Sequence, residues 1–338
     1  MKFFWRICMG AFCSMSLLAC GQAKPTNSAQ EQPSAANSPN AVSTATAPTL
    51  PTSNPAVIHV VASFSVLGDM VSAVGGERVQ VDNLVGINQD SHVYQPTPQD
   101  AQKIAHAQVF VVNGLGFEGW LERLEKNADF KGIKVVATNG LPALTAPQHG
   151  EEGHDHEHDH TAGGMDPHAW QDPALVAQYY VPNIIKGLSQ ADPAGATYYQ
   201  QHGQAYINQL NQLTIQIQQI LGRFPREQRK VVVSHRAFEY FGKAFGVDFY
   251  AVQGMSTESQ ASAKQVAELI NLIKAQNIHA LYAENIGDPK MIEQISAETG
   301  VRVGNKLYSE TLSEKTGYAP TYLRMMQYNA DQIAAGVR

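Results

Sequence analysis

AGATYYQQHGQAYINQLNQLTIQIQQIL, residues 194–221, decides the fold. Its apolar and aromatic residues fall at Tyr199, Tyr206, Leu210, Leu213, Ile217, Ile220 and Leu221, separated mostly by Gln. That spacing is helical, and at 1.5 Å per residue the segment reaches about 42 Å. The apolar heptad is not sustained long enough for a coiled-coil seam. On its N-terminal side, strand patterns at Val57–Ser63, Val79–Val85, Val109–Gly114 and Lys134–Ala137 alternate with helical patterns at Val66–Val74 and Pro98–Ala107. On its C-terminal side, Lys230–Ser234, Ala280–Glu284 and Val301–Val303 read as strands. Strands alternating with helices imply parallel βα units. The expected fold is α/β: two doubly wound lobes, 57–192 and 223–338, each a parallel sheet flanked by helices and separately packed. One long rigid helix, 193–222, joins them, with a ligand site in the cleft between. Such a connector permits only small relative motion.

The chain opens with Lys2 and Arg6, an apolar run from Ile7 to Ala19 and then Cys20-Gly21. The run is too short to span a bilayer and reads as a signal peptide over 1–19. Leu17-Leu18-Ala19-Cys20 resembles a bacterial lipobox, which implies cleavage before Cys20 and a lipid on its thiol. Residues 20–56 are rich in Pro, Ser, Thr, Ala, Asn and Gln and cannot bury enough surface to fold; they read as a disordered tether. The three cysteines are Cys8, Cys13 and Cys20, so the body has no thiol and any metal in it must be held by imidazole and carboxylate. The formal net charge is -6, with no basic patch, which speaks against nucleic acid.

Metal chemistry is suggested first by HGEEGHDHEHDH, residues 149–160. Imidazoles alternating with carboxylates, in a run without apolar residues, predict a solvated loop over 149–164 in the first lobe. His154, His156, His158 and His160 would bind metal there as an auxiliary site. Three other histidines stand where ligands of open α/β sheets gather, beyond the carboxyl ends of strands. His92 lies in a loop bounded by Pro96 and Pro98, His168 in Asp166-Pro167-His168, and His235 directly after the strand Lys230–Ser234. His59, His106, His202 and His279 have no such setting. A closed tetrahedral site needs a fourth ligand, and carboxylate oxygen is acceptable. Glu310, in a polar loop, and Glu284, at a strand end, are both candidates. A zinc hydrolase would need an open coordination position and a general base, and no HExxH is present, so a binding protein rather than an enzyme is expected.

DSHVYQPTPQD around His92, NGLGFEGW over 113–120, MDPHAWQDP around His168, VVVSHRAFEYF around His235 and LYSETLS around Glu310 resemble the zinc and manganese solute-binding lipoproteins of bacterial ABC importers. The resemblance spans the body from Val57 onward. It implies two α/β lobes bridged by a helix, with His92, His168, His235 and Glu310 as metal ligands. It also implies delivery to a permease and its ATPase, a monomer anchored through Cys20, and a place in the periplasm or at the cell surface. The family more often has Asp at position 310. Three nitrogens and one oxygen favour zinc. The stretches YSETLS and Gly254-Met255-Ser256-Thr257-Glu258 are similar to the manganese and iron branch, which keeps a manganese, iron or mixed-metal carrier as the alternative.

Overall fold

Runs rich in β-branched residues make the central strands of the computed structural model, which describes residues 57–145, 164–258 and 260–338. In β1 (Ile58–Phe64) only His59 is exposed, and β3 (Val109–Val112) is buried throughout, as expected of strands covered on both faces. β2 (Val79–Val85) and β4 (Ile133–Val136) keep partly exposed positions, which suits the sheet edges. Helices α1 (Ser65–Gly75), α2 (Pro98–His106) and α3 (Leu121–Ala128) connect them. All pairs are parallel, in the order β2-β1-β3-β4.

The chain then runs through α4 (Pro173–Leu175), a π turn at Val176–Tyr180 and α5 (Val181–Ala191) into α6 (Ala196–Leu221). The long helix expected over 193–222 is therefore present. It begins at Ala196 because Asp192 and Pro193 first set a short 3₁₀ turn, in which Asp192 Oδ1 accepts from the Gly195 amide at 3.2 Å. The other oxygen, Oδ2, accepts from Arg78 Nη2 at 2.6 Å and from the Tyr199 hydroxyl at 2.8 Å, pinning the helix start to the first sheet. At 26 residues α6 is about 39 Å long. It buries Tyr199, Gly203, Tyr206, Leu210, Leu213, Ile217 and Leu221, one continuous face. Gly203 lies against Ile185 and Val181, so a side chain there would force α5 away.

The second sheet is formed by β5 (Lys230–Val233), β6 (Asp248–Ala251) and β7 (Ala280–Leu281), parallel and in the order β6-β5-β7, with α7 (Glu239–Phe245), α8 (Ala263–Gln276) and α9 (Lys290–Thr299) around it. The strand expected at Val301–Val303 is reduced to two parallel bridges, Leu281 with Val303 and Glu284 with Leu307. Val303 is partly exposed, and Gly304 sits against the Tyr282 ring, so no apolar run continues the ladder. In each sheet the first strand is internal and the order reverses beside it, the arrangement that opens a crevice at the carboxyl ends of the strands.

The two halves share apolar packing. One apolar cluster contains Val60 and Phe110 of the first sheet, Val231 and Val233 of the second, and the buried face of α6. The last helix, α10 (Tyr322–Gly336), causes this: it packs on α6, α1 and β7 at once. A smaller cluster, including Val232, Leu269 and Ile295, lies within the second half alone. Among the described residues no helix is long and apolar enough to cross a membrane.

A shared core predicts one cooperative unfolding transition for the body. Replacing the fully buried Leu210 by Ala should cost about 2–5 kcal/mol and shift that transition as a whole. Denaturant titration followed by circular dichroism checks it; two separable transitions would contradict the shared core.

Candidate metal centre

Each histidine is held by a different local device. His92 follows β2 in a loop where Asp90 Oδ1 accepts from the His92 amide at 2.9 Å and the indole of Trp120 donates to the Ser91 carbonyl at 2.9 Å. Thr97 and Asp100 form a reciprocal capping box that starts α2 and ends the loop. The His92 ring stands edge-on to Phe117, with centroids 5.1 Å apart. His168 is set by Asp166, whose Oδ1 accepts from the His168 amide and lies 2.9 Å from its ring Nδ1. Asn113 braces this turn by donating to the Pro167 carbonyl at 2.9 Å, and is itself fixed by Glu118 and the Tyr180 hydroxyl. His235 leaves β5 with its amide donating to Glu284 Oε1 at 2.8 Å, while Glu284 Oε2 lies 2.6 Å from its ring Nδ1.

Glu310 comes from the second half but is gripped by the first. Its Oε2 accepts from the Ser91 amide at 3.1 Å, and the neighbouring Ser309 carbonyl accepts from the Trp170 indole and the Gln171 side chain at 2.8 and 2.6 Å. Thr311 Oγ1 accepts from the Asn88 amide, and the Leu312 amide donates to Ser65 Oγ.

These devices bring four donor atoms together. Nε2 of His92 lies 3.3 Å from Nε2 of His168, and Glu310 Oε1 lies 3.6 Å from His92 Nε2 and 3.8 Å from His235 Nε2. One ring nitrogen from each of His92, His168 and His235 falls within 4.8 Å of the others. Ligands about 2.0–2.2 Å from a tetrahedral ion stand about 3.3–3.6 Å apart; the His92–His168 and His92–Glu310 spacings fall in that range and the His235–Glu310 spacing is slightly wider. His168, His235 and Glu310 are fully buried, and 6% of the His92 side chain is exposed. His235 Nε2 and Glu310 Oε1 have no hydrogen-bond partner, a costly condition for buried polar atoms unless a cation meets them.

Glu284, the rival fourth ligand, lies against the other ring nitrogen of His235. Carboxylates on the outer nitrogens of His168 and His235 leave Nε2 free to face the site, as they do in carboxylate–histidine–metal arrangements. Sequence reading missed Asp166 in this role, although its place two residues before His168 was a usable signal. Ser91, Trp170 and Gln171 had none, because their partners are more than 100 residues away. His154, His156, His158 and His160 lie outside the described residues, as do the signal segment 1–19, Cys20 and the tether to position 56.

Burial sets the electrostatics. It pushes the Glu310 carboxyl up to about 8, against the lowering influence of His235. It drives His92 well below the ordinary imidazole range, helped by His168 and His235, and lowers His168 despite the opposing pull of Asp166. His235 is the exception: burial pulls it down, but the Glu284 charge outweighs this and raises it to about 9.

A family model described as zinc-uptake complex component A, periplasmic (ZnuA), matches residues 60–336. The chain belongs to this ZnuA family. It is 32% identical over 281 residues to the manganese-binding lipoprotein MntA of Halalkalibacterium halodurans, covering 83% of this chain and 88% of the relative. It is 32% identical over 277 residues to the iron-binding protein YfeA of Yersinia pestis, with 82% and 85% covered. The periplasmic zinc-binding protein TroA of Treponema pallidum superposes with a TM-score of 0.75 at 26% identity, covering 83% of this chain and 99% of that one. As a ZnuA-family member the chain is a metal-binding, substrate-binding protein of an ABC importer and not an enzyme. MntA is named a lipoprotein, and the family model is described as a periplasmic component.

Because His235 and Glu310 hold protons at pH 7 and a metal needs both deprotonated, uptake of one divalent ion at that pH should release about two protons. Affinity should rise with pH through about 8 and 9 and fall on acidification, while His92 and His168, already neutral, contribute little. Calorimetry in buffers of different ionisation enthalpy measures the number; proton release near zero would contradict it.

Proposed function

We propose that this lipoprotein captures zinc through His92, His168, His235 and Glu310 and hands it to a permease driven by its ATPase. The convergence of three Nε2 atoms and one carboxylate oxygen at ligand spacing carries the reading. Three imidazoles and one carboxylate suit zinc, which also stands above manganese in intrinsic affinity. The name of TroA supports it as well. MntA and YfeA are named for manganese and iron, so a mixed-metal carrier is the second reading, favoured by the carboxylate at position 310. A competition titration separates the two: zinc should displace manganese at equal concentration, and parity would favour the second.

Residues 1–19 are the signal, Cys20 carries the lipid, and 20–56 is the tether. The body divides into lobes 57–192 and 223–338 about the helix 193–222, and acts as a monomer. The stretch 149–164 offers weaker auxiliary sites at His154, His156, His158 and His160. Deleting 149–160 should therefore leave one tightly bound equivalent of zinc, counted by equilibrium dialysis. Loss of that equivalent would mean that the loop supplies a primary ligand.

Single replacement of His92, His168 or His235 by Ala removes a nitrogen that only water can replace and should weaken zinc at least about a hundredfold. Glu310→Ala should cost less, since solvent supplies oxygen, and Glu310→Asp should keep most of the affinity. Zinc titrations against a chelating indicator check the series. A Glu284→Ala variant that loses zinc while Glu310→Ala keeps it would transfer the fourth position away from Glu310.

A further inference from the structure

We infer that a hydrogen bond between Thr257 and Asp90 is a latch across the mouth of the metal site, and that it sets how long the metal stays. This rests on the metal-binding function proposed above. Thr257 Oγ1 donates to Asp90 Oδ2 at 2.6 Å, joining residues 167 positions apart. Each partner is wired to a different ligand. The other oxygen of Asp90 holds the His92 amide. Thr257 lies on the loop after β6, which is tied to the His235 turn twice: the Gln253 amide donates to the Ser234 carbonyl at 2.9 Å, and the Arg236 amide donates to the Gly254 carbonyl at 2.9 Å. One hydroxyl thus links the carriers of His92 and His235, which belong to different sheets.

Its location distinguishes it from the other ties across the crevice. The Ser91 contact to Glu310 is buried, whereas Asp90 and Thr257 are half-buried and Gly254 and Glu258 beside them are exposed. His92 is the ligand whose side chain retains exposure, and it is the one the latch holds from outside. Departure of the ion requires water to reach a donor atom as the His92 and His235 carriers part. A short hydrogen bond to a carboxylate oxygen opposes that separation directly. Thr257 is therefore a positioning residue: it touches no metal and acts through the two loops.

The test uses the full chain loaded with one equivalent of zinc and mixed rapidly with excess chelator. Thr257→Val, equal in size but without the hydroxyl, should release zinc about tenfold faster with little change in the association rate, because loss of a latch acts mainly on dissociation. Thr257→Ser, which restores the hydroxyl, should return to the wild-type rate, and Thr257→Ala should behave as Val does if the Val variant folds poorly. Release from the Val and Ala variants at the wild-type rate overturns the latch, as does a Ser variant as fast as Val. A wild-type chain that takes up no zinc, manganese or iron sinks the proposed function, and the latch with it.

Discussion

The burial of Glu310 is the constraint to which the rest of the molecule answers. A carboxylate with no exposed surface and one oxygen without a partner is unfavourable by itself. It becomes tenable where a backbone amide holds the other oxygen and a cation can meet the free one. The grip on that carboxylate comes from the first half of the chain, through Ser91. A residue of the second half therefore has its charge stabilised by the first, and the two sheets must present their carboxyl ends to each other for this to happen. The α6 helix, the Asp192 anchor and the Trp170 contact to Ser309 all maintain that orientation.

Around this centre the same device appears twice. Asp166 and Glu284 each spend one oxygen on a histidine backbone amide, and each sets an oxygen against the Nδ1 of that same ring. For Asp166 one oxygen serves both contacts; for Glu284 the two oxygens divide them. Side-chain rotation of both rings, and the tautomer of His168, are thereby fixed before any ion arrives, which lowers the ordering cost of coordination. His92 has a carboxylate on its backbone only, and its ring is bounded instead by Phe117. The three imidazoles are thus unequally restrained.

Much of this was legible from residues alone. The spacing from Tyr199 to Leu221 defined α6, and β1, β2, β3 and β5 declared themselves through β-branched runs, because local pattern and tertiary burial agree there. Histidines directly beyond strand ends were recognisable for the same reason. What stayed hidden depends on contacts distant in sequence. Nothing near Glu284 says that it faces Nδ1 of a residue 49 positions earlier. The strand expected at Val301–Val303 has the right residue types, but its pairing is interrupted after Gly304, which sits against Tyr282, and resumes one residue out of step at Leu307. The shared core could not be read because α10 has an ordinary amphipathic pattern; only its three neighbours reveal that it serves both sheets.

That placement of α10 has a consequence for biogenesis. The Tyr322 amide donates to Asp69 on α1 across 253 positions, and α10 covers α1 and α6 together. Among the described residues, the first helix in sequence waits for the last of them before its apolar face is closed. Contacts of such long sequence separation make for slow folding. The core of the body therefore closes only when segments some 250 positions apart, α1 and α10, have both been made.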